Sequence, residues 1–174
     1  ILETNRLMFE RASFIPERVF LCDFITRLLQ NYENEIQARG GSIKLNLPAD
    51  LQVRADPRGL ELVFENMIDN AVKYSDEKPE IEIDGQETQG FVLVQIRDQG
   101  RGFHQDDATQ FFKRFTRGDR GSKGVGLGLA LAQAVVHGHG GSLHLHSDGP
   151  GQGATAEIWL PCVKNKEHTG ASDV

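Results

Sequence analysis

A single domain of mixed α and β structure is what the sequence predicts, on three observations. Apolar residues recur at helical spacing in two long segments, Phe20, Phe24, Leu28 and Tyr32 in one and Leu60, Phe64, Met67 and Ala71 in the other. Shorter segments such as SIKLNLP and TAEIWLP alternate apolar and polar residues, the pattern of half-buried strands. The length, 174 residues, suffices for one well-buried core and is too short for two ordinary domains.

In chain order, ILETNRLMFER reads as the last turns of a helix, with Leu2, Leu7 and Met8 apolar and little nearby to bury them. The chain opens on Ile1 with no signal-peptide pattern, so it reads as a piece of something longer. Residues 12–19, interrupted by Pro16, suit a short edge strand, because proline removes a ladder donor. One helix is expected from Phe20 to Arg39, stopped by Gly40 and Gly41. SIKLNLP and LQVRA then read as partners in a hairpin. Asp56 is a good N-cap and Pro57 a good first helical residue, which starts a helix running to about Tyr74. EIEIDG and FVLVQIRD give two strands around a polar loop at Gly85 to Gly90. From Gln99 to Lys123 no periodicity is sustained, and loops of that length tend to be lids or binding loops. Gly128 to His139 returns to helix, and SLHLHS and TAEIWLP close the sheet before a polar tail from Lys164.

Composition excludes several classes. The net charge of -6 argues against a dedicated nucleic-acid binder, which carries a basic excess to neutralise phosphates. No apolar run approaches the length that spans a bilayer, so no membrane contact is expected of this piece. Cys22 and Cys162 lie far apart and outside any C-x-x-C spacing, which suits buried thiols in a reducing cytoplasm.

The chemistry gathers in three stretches. On the helix from Pro57, Asn66, Asn70, Lys73 and Tyr74 form a polar stripe beside the apolar one. Asparagine is a poor helix former, so two of them one turn apart point to a ligand face, with a solvated flank as the plainer alternative. DQGRGF, Asp98 to Phe103, follows a strand directly: Asp98 is held rigidly, Gly100 and Gly102 let a ligand approach the backbone, and the carboxylate suits an exocyclic amine. A simple turn would use the same residues. GVGLGLALA places Gly124, Gly126 and Gly128 before and inside a first helical turn, where unpaired N–H groups and the helix dipole favour anions; close helix packing is the competing use. Between them, Lys113, Arg114, Arg117, Arg120 and Lys123 interleave with Phe111, Phe112 and Phe115, a local basic cluster suited to a polyphosphate or to a solvated loop. No G-x-x-x-x-G-K-[ST] occurs, and the G-x-G-x-x-A spacing from Gly149 to Ala154 precedes a strand, which excludes a P-loop and a dinucleotide fold. His137, His139, His144 and His146 do not have the pattern of a metal site.

In sequence and order, NMIDNAVKYS, DQGRGF, FFKRFTRG, GVGLGL and GQGAT followed by LP resemble the N, G1, F, G2 and G3 boxes of the ATP-binding catalytic domain of bacterial sensor histidine kinases. The resemblance covers about Phe14 to Pro161. It implies a two-layer α/β sandwich, a mixed sheet of about five strands with three helices on one face, and ATP under a mobile lid. It divides the chain into a remnant of the dimerisation-domain helix and linker (1–11), an ATP-binding domain (12–163) and a flexible tail (164–174). Residue by residue, it implies Mg²⁺ on Asn66, phosphates near Asn70, Lys73 and Tyr74, and adenine read by Asp98 with Gly100 and Gly102 making room. Gly124, Val125, Gly126, Leu127 and Gly128 would shape the phosphate end of the lid, and Thr155 would line the adenine pocket. Phe112 and Phe115 would fix the lid and Arg117 would assist the γ-phosphate.

Two departures bear on that transfer. Lys113 stands where the F box usually has an acid, and Val125 where threonine or serine is common. ATPases of the wider superfamily carry a water-activating Glu four residues before the metal Asn; here that position is Leu62. The resemblance therefore implies phosphoryl transfer from Mg-ATP to a histidine on the dimerisation domain of the same kinase, with a cognate response regulator downstream, in the cytoplasmic part of a membrane-bound sensor. An anti-sigma-type serine kinase, a nucleotide-sensing module and a clamp-type ATPase are the alternatives.

Overall fold

In a computed structural model, which describes residues 15–76, 78–113 and 127–163, the chain begins with β1 (Glu17–Phe20), α1 (Leu21–Leu29) and α2 (Glu33–Ala38). There follow β2 (Ser42–Asn46), β3 (Gln52–Ala55), α3 (Pro57–Tyr74), β4 (Glu80–Thr88) and β5 (Phe91–Asp98). A short 3₁₀ turn at Gln105–Asp107 leads into α4 (Ala108–Phe111), and α5 (Gly128–Gly138), β6 (Ser142–His146) and β7 (Ala154–Pro161) complete the order. The expected remnant at 1–11 and the tail at 164–174 lie outside the described residues.

Five strands form one mixed sheet in the order β2-β4-β5-β7-β6. Only β2 and β4 are parallel; the other neighbours are antiparallel. One face carries Ile81, Ile83, Val92, Val94, Ile96, Leu143, Ala156, Ile158 and Leu160, all buried against the helices. From α3 come Leu60, Val63, Phe64, Met67, Ile68 and Ala71, so the expected apolar stripe is the helix's core face. The sheet's other face carries polar partners such as Gln95, Arg97 and Glu157 and, among the described residues, no helix layer, which makes the two-layer sandwich.

α3 is fixed at both ends by local chemistry. Asp56 Oδ1 accepts from the Arg58 N–H at 2.9 Å, with Pro57 at the first helical position. At the far end, Arg39 donates to the carbonyls of Val72 and Ser75 at 2.9 Å each, satisfying groups that the last turn leaves unpaired. Asp56→Ala is expected to destabilise the domain by about 1 kcal/mol, the usual cost of losing an N-cap, read from the midpoint of urea unfolding.

Three expectations are corrected. The helix expected over residues 20–39 is two helices: the N–H groups of Asn31 and Tyr32 bond back to Leu28 and Leu29 in a tight turn. That turn lets the Tyr32 hydroxyl donate to Asp69 of α3 at 2.8 Å, and burial first, then Asp69, holds the phenol above its ordinary range. The expected hairpin of β2 and β3 does not form. β2 runs parallel to β4, while β3 pairs antiparallel with β1 and bridges Cys162 through Val53. Nor is there a six-residue loop between β4 and β5. Their pairing continues to Thr88 opposite Phe91, leaving Gln89 and Gly90, both at positive φ, as a two-residue turn. Gly85 lies in the strand opposite Val94, and a Cβ there would strike the Leu47 and Leu51 side chains that pack over it.

Candidate functional site

A cavity of about 330 Å³ opens between α3, the end of β5 and the segment that follows it. Met67, Ala71, Ile96, Leu129, Ala154 and Ala156 form apolar walls, and Asn70, Tyr74 and Asp98 bring polar atoms to them. Such a slot suits a flat, largely apolar group with a few fixed hydrogen-bonding positions.

Asp98 ends β5, and its Oδ1 accepts from the N–H groups of Gly100 at 2.8 Å and Ala154 at 3.2 Å. Its other oxygen has no hydrogen-bond donor among the described residues. Burial raises the carboxyl above its ordinary value, and the two backbone donors offset part of that rise.

The glycines around Asp98 make space chiefly for the chain itself. A Cβ on Gly100 would meet the Tyr74 carbonyl, one on Gly102 the Gly149 carbonyl, and one on Gly153 the carbonyl of Asp98. Gly102 and Gly153 also sit at φ +58° and +69°, where other residues are strained. Gly102 lines the cavity; Gly100 is buried beside it.

On α3, Asn66 donates its Nδ2 to the Leu62 carbonyl at 2.8 Å, which leaves Oδ1 as the atom it presents. That oxygen lies where a Cβ on Gly128 would be. The first residue of α5 is therefore glycine because Asn66 packs onto its backbone. Lys73 is exposed, with Nζ 5.1 Å from the centre of the Tyr74 ring, and lies outside the cavity wall. Leu62 is half-buried at the position four residues before Asn66, as the sequence places it.

Thr155 is not brought into the cavity. The alternation of β7 puts Ala156, Ile158 and Leu160 on the helix side and Thr155 on the open face, so its neighbours Ala154 and Ala156 form the wall. Leu127 is exposed at the N-cap of α5 and Phe112 packs against the core; neither lines the cavity. Arg114, Phe115, Arg117, Arg120, Lys123, Gly124, Val125 and Gly126 lie outside the described residues.

Sequence reasoning missed Ser147 and Gln105, and it named Phe103 and Phe111 without placing them at the cavity. Phe103 and Phe111 both line the cavity, in an edge-to-face pair with centroids 5.1 Å apart. Ser147 accepts from the Phe103 N–H at 3.1 Å and donates to the Gly153 carbonyl at 2.7 Å, tying the segment after β5 to the β6–β7 turn. Gln105 fastens the same segment to the edge strand, donating to the Leu145 carbonyl and accepting from the Ser147 N–H. A lone serine and a lone glutamine in polar stretches carry no periodic signal that would have singled them out.

Residues 55–164 match the family described as histidine kinase-, DNA gyrase B-, and HSP90-like ATPase. A sensor histidine kinase component, HK1, of Mycobacterium tuberculosis is 36% identical over 104 residues, 59% of this chain and 61% of that protein. The sensor histidine kinase WalK of Bacillus subtilis is 30% identical over 123 residues, 69% of this chain and 20% of that protein. The chain thus spans less than two thirds of the length of these curated relatives. Among solved structures, a mycobacterial sensor histidine kinase, MprB, superposes with a TM-score of 0.76 at 28% identity, covering 84% of this chain and 97% of that one. The matched residues run from the end of β3 through β7 and include both Asn66 and Asp98. This chain belongs to the histidine kinase-, DNA gyrase B- and HSP90-like ATPase family.

Proposed function

We propose that this domain binds Mg-ATP and transfers its γ-phosphoryl group to a histidine of the dimerisation domain of the same kinase, from which a cognate response regulator receives it. The observation that carries the reading is the pairing of two side-chain oxygens that have no hydrogen-bond donor among the described residues: one of Asp98 beside an apolar slot, and Asn66 Oδ1 against the start of α5. An ionised carboxylate accepts from the adenine amine, and the slot takes the ring. Because the Asn66 amide nitrogen is committed to Leu62, the atom offered is a hard carbonyl oxygen, the donor type magnesium prefers. Magnesium, when bound, would neutralise charge on the phosphates as the γ-phosphoryl leaves ADP for an imidazole nitrogen. Asn70, Lys73 and Tyr74 stand on the same helix to position the phosphates, and Arg117 and Phe115 belong to the lid of this reading. The domain acts in the cytoplasm, as part of a membrane-bound sensor.

Calorimetric titration with a non-hydrolysable ATP analogue, with and without Mg²⁺, tests the binding step; adding a separate histidine domain with labelled ATP tests transfer. Absence of binding by the unaltered chain would sink the reading. With Leu62 at the position four residues before Asn66, no carboxylate stands there to activate water. ATP turnover by the domain alone is expected to stay at background; steady hydrolysis without an acceptor would contradict it.

The raised pKa of Asp98 gives a pH test. Because the folded state holds the proton more tightly than the unfolded one, its contribution to stability is present below the ordinary aspartate value of about 3.9 and lost as pH rises through the raised value. Nucleotide binding runs the other way, since the ionised form is the better acceptor. Affinity for the analogue should fall as pH descends through the Asp98 value, above the range where ordinary aspartates titrate. Asp98→Asn should remove that pH step.

A further inference from the structure

Asn66 and Gly128 meet across two helices, so the register of α3 against α5 sets where the Asn66 oxygen stands. At the other end of the same helix pair, the N–H of Asp56 donates to His139 Nε2 at 2.9 Å, while His139 Nδ1 lies 2.8 Å from the Val135 carbonyl. A carbonyl only accepts, so Nδ1 carries the proton and Nε2 is bare.

This bond completes a helix cap from another element. In a capping box the N-cap side chain takes an N–H of the first turn, and a Glu or Gln at the third helical position reaches back to the N-cap's own N–H. Asp56 supplies the first half. The third position is Gly59, which has no side chain to supply the second. A Cβ on residue 59 would lie 3.2 Å from His139 Cε1 and 3.0 Å from Val135 Cγ1, so the imidazole fills the space that such a side chain would need. The same sequence spacing separates Gly59 from Asn66 and Gly128 from Val135. At one contact α5 enters the gap over Gly59, and at the other α3 enters the gap over Gly128.

We propose that His139 is a positioning residue, whose imidazole caps α3 from α5 and thereby sets the helix register that holds Asn66 against Gly128 for the phosphate-bound metal. The metal clause rests on the Mg-ATP reading above; the register clause does not.

The test compares His139→Ala, His139→Gln and the double variant His139→Ala with Gly59→Gln, which offers a cap from α3 itself. In the unaltered chain and each variant, the affinities for Mg-AMPPNP and for adenosine are measured beside the thermal midpoint and the NMR resonance of the Asn66 side-chain amide without nucleotide. His139→Ala is expected to weaken Mg-AMPPNP about fivefold, the equivalent of one neutral hydrogen bond, and to leave adenosine within about twofold. The Asn66 resonance should shift. The double variant should recover the thermal midpoint and not the Mg-AMPPNP affinity, while His139→Gln, whose amide oxygen can accept from Asp56, should retain more of both. Equal weakening of the two ligands, or recovery of Mg-AMPPNP affinity in the double variant, would overturn the proposal and leave His139 a cap only. If the unaltered chain binds neither ligand, the Mg-ATP reading fails and the resonance decides the register: a shift in His139→Gln or His139→Ala supports it, and an unchanged resonance in both overturns it.

Discussion

Asp98→Ala is expected to lower affinity for an ATP analogue about 10- to 100-fold, the loss of a hydrogen bond to a charged acceptor. Two effects add in the same direction. The free oxygen that would accept from adenine disappears, and so do the Oδ1 bonds to Gly100 and Ala154 that join the end of β5 to the start of β7. The thermal midpoint should therefore drop as well. Asp98→Asn separates the effects, since a carbonyl oxygen can keep the two backbone donors while the second oxygen becomes an NH₂ group that repels an amine. Its expected signature is a midpoint at or above that of the parent, because the burial cost of the charge is gone, with affinity still lost. An Asp98→Asn protein that binds as tightly as the parent would show that the carboxylate does not read the base.

Gly128→Ala is expected to abolish the Mg²⁺-dependent part of binding, about a tenfold loss of affinity, with the thermal midpoint nearly unchanged. The added methyl occupies the place of Asn66 Oδ1, so the asparagine must rotate and give up either its bond to Leu62 or the direction of its oxygen. Alanine is a better helix former than glycine, which offsets part of the strain in the fold without restoring the site. The measurement is titration with and without Mg²⁺, with adenosine affinity as the internal control. Retention of full Mg²⁺ dependence would mean that Asn66 does not hold the metal.

These two positions also show what could be read from the chain before it was folded. Asn66, Asn70 and Tyr74 were legible because helical periodicity is local: once Leu60, Phe64, Met67 and Ala71 define one face, the neighbouring stripe follows from geometry alone. Asp98 was legible for a similar reason, an acid placed at the end of an apolar strand and followed by glycines. Thr155 falls on the open face of β7 by the strand's period of two, whereas its place in the motif puts it at the adenine pocket.

Other features depended on partners far away in sequence. Whether LQVRA pairs with SIKLN or with the strand before α1 is decided by which edge each buries, and local alternation is the same in either case. The break between α1 and α2 brings Tyr32 to Asp69, a contact between residues with no sequence relation. The glycines are expected from the sequence to make room for a ligand, whereas the space of the missing side chains at 100, 102, 128 and 153 is taken by the protein's own backbone and Asn66.

The sequence by itself determined the order of most helices and strands, the apolar face of α3 and the residue types gathered at the slot, since each depends on periodicity or on the chemistry of neighbouring residues. Only the tertiary structure decided which strands pair, which side chains enter the cavity, and that His139 completes the cap of a helix far from it in the chain. Those outcomes turn on competition among distant groups for burial and for hydrogen-bond partners, which no local pattern of residues contains.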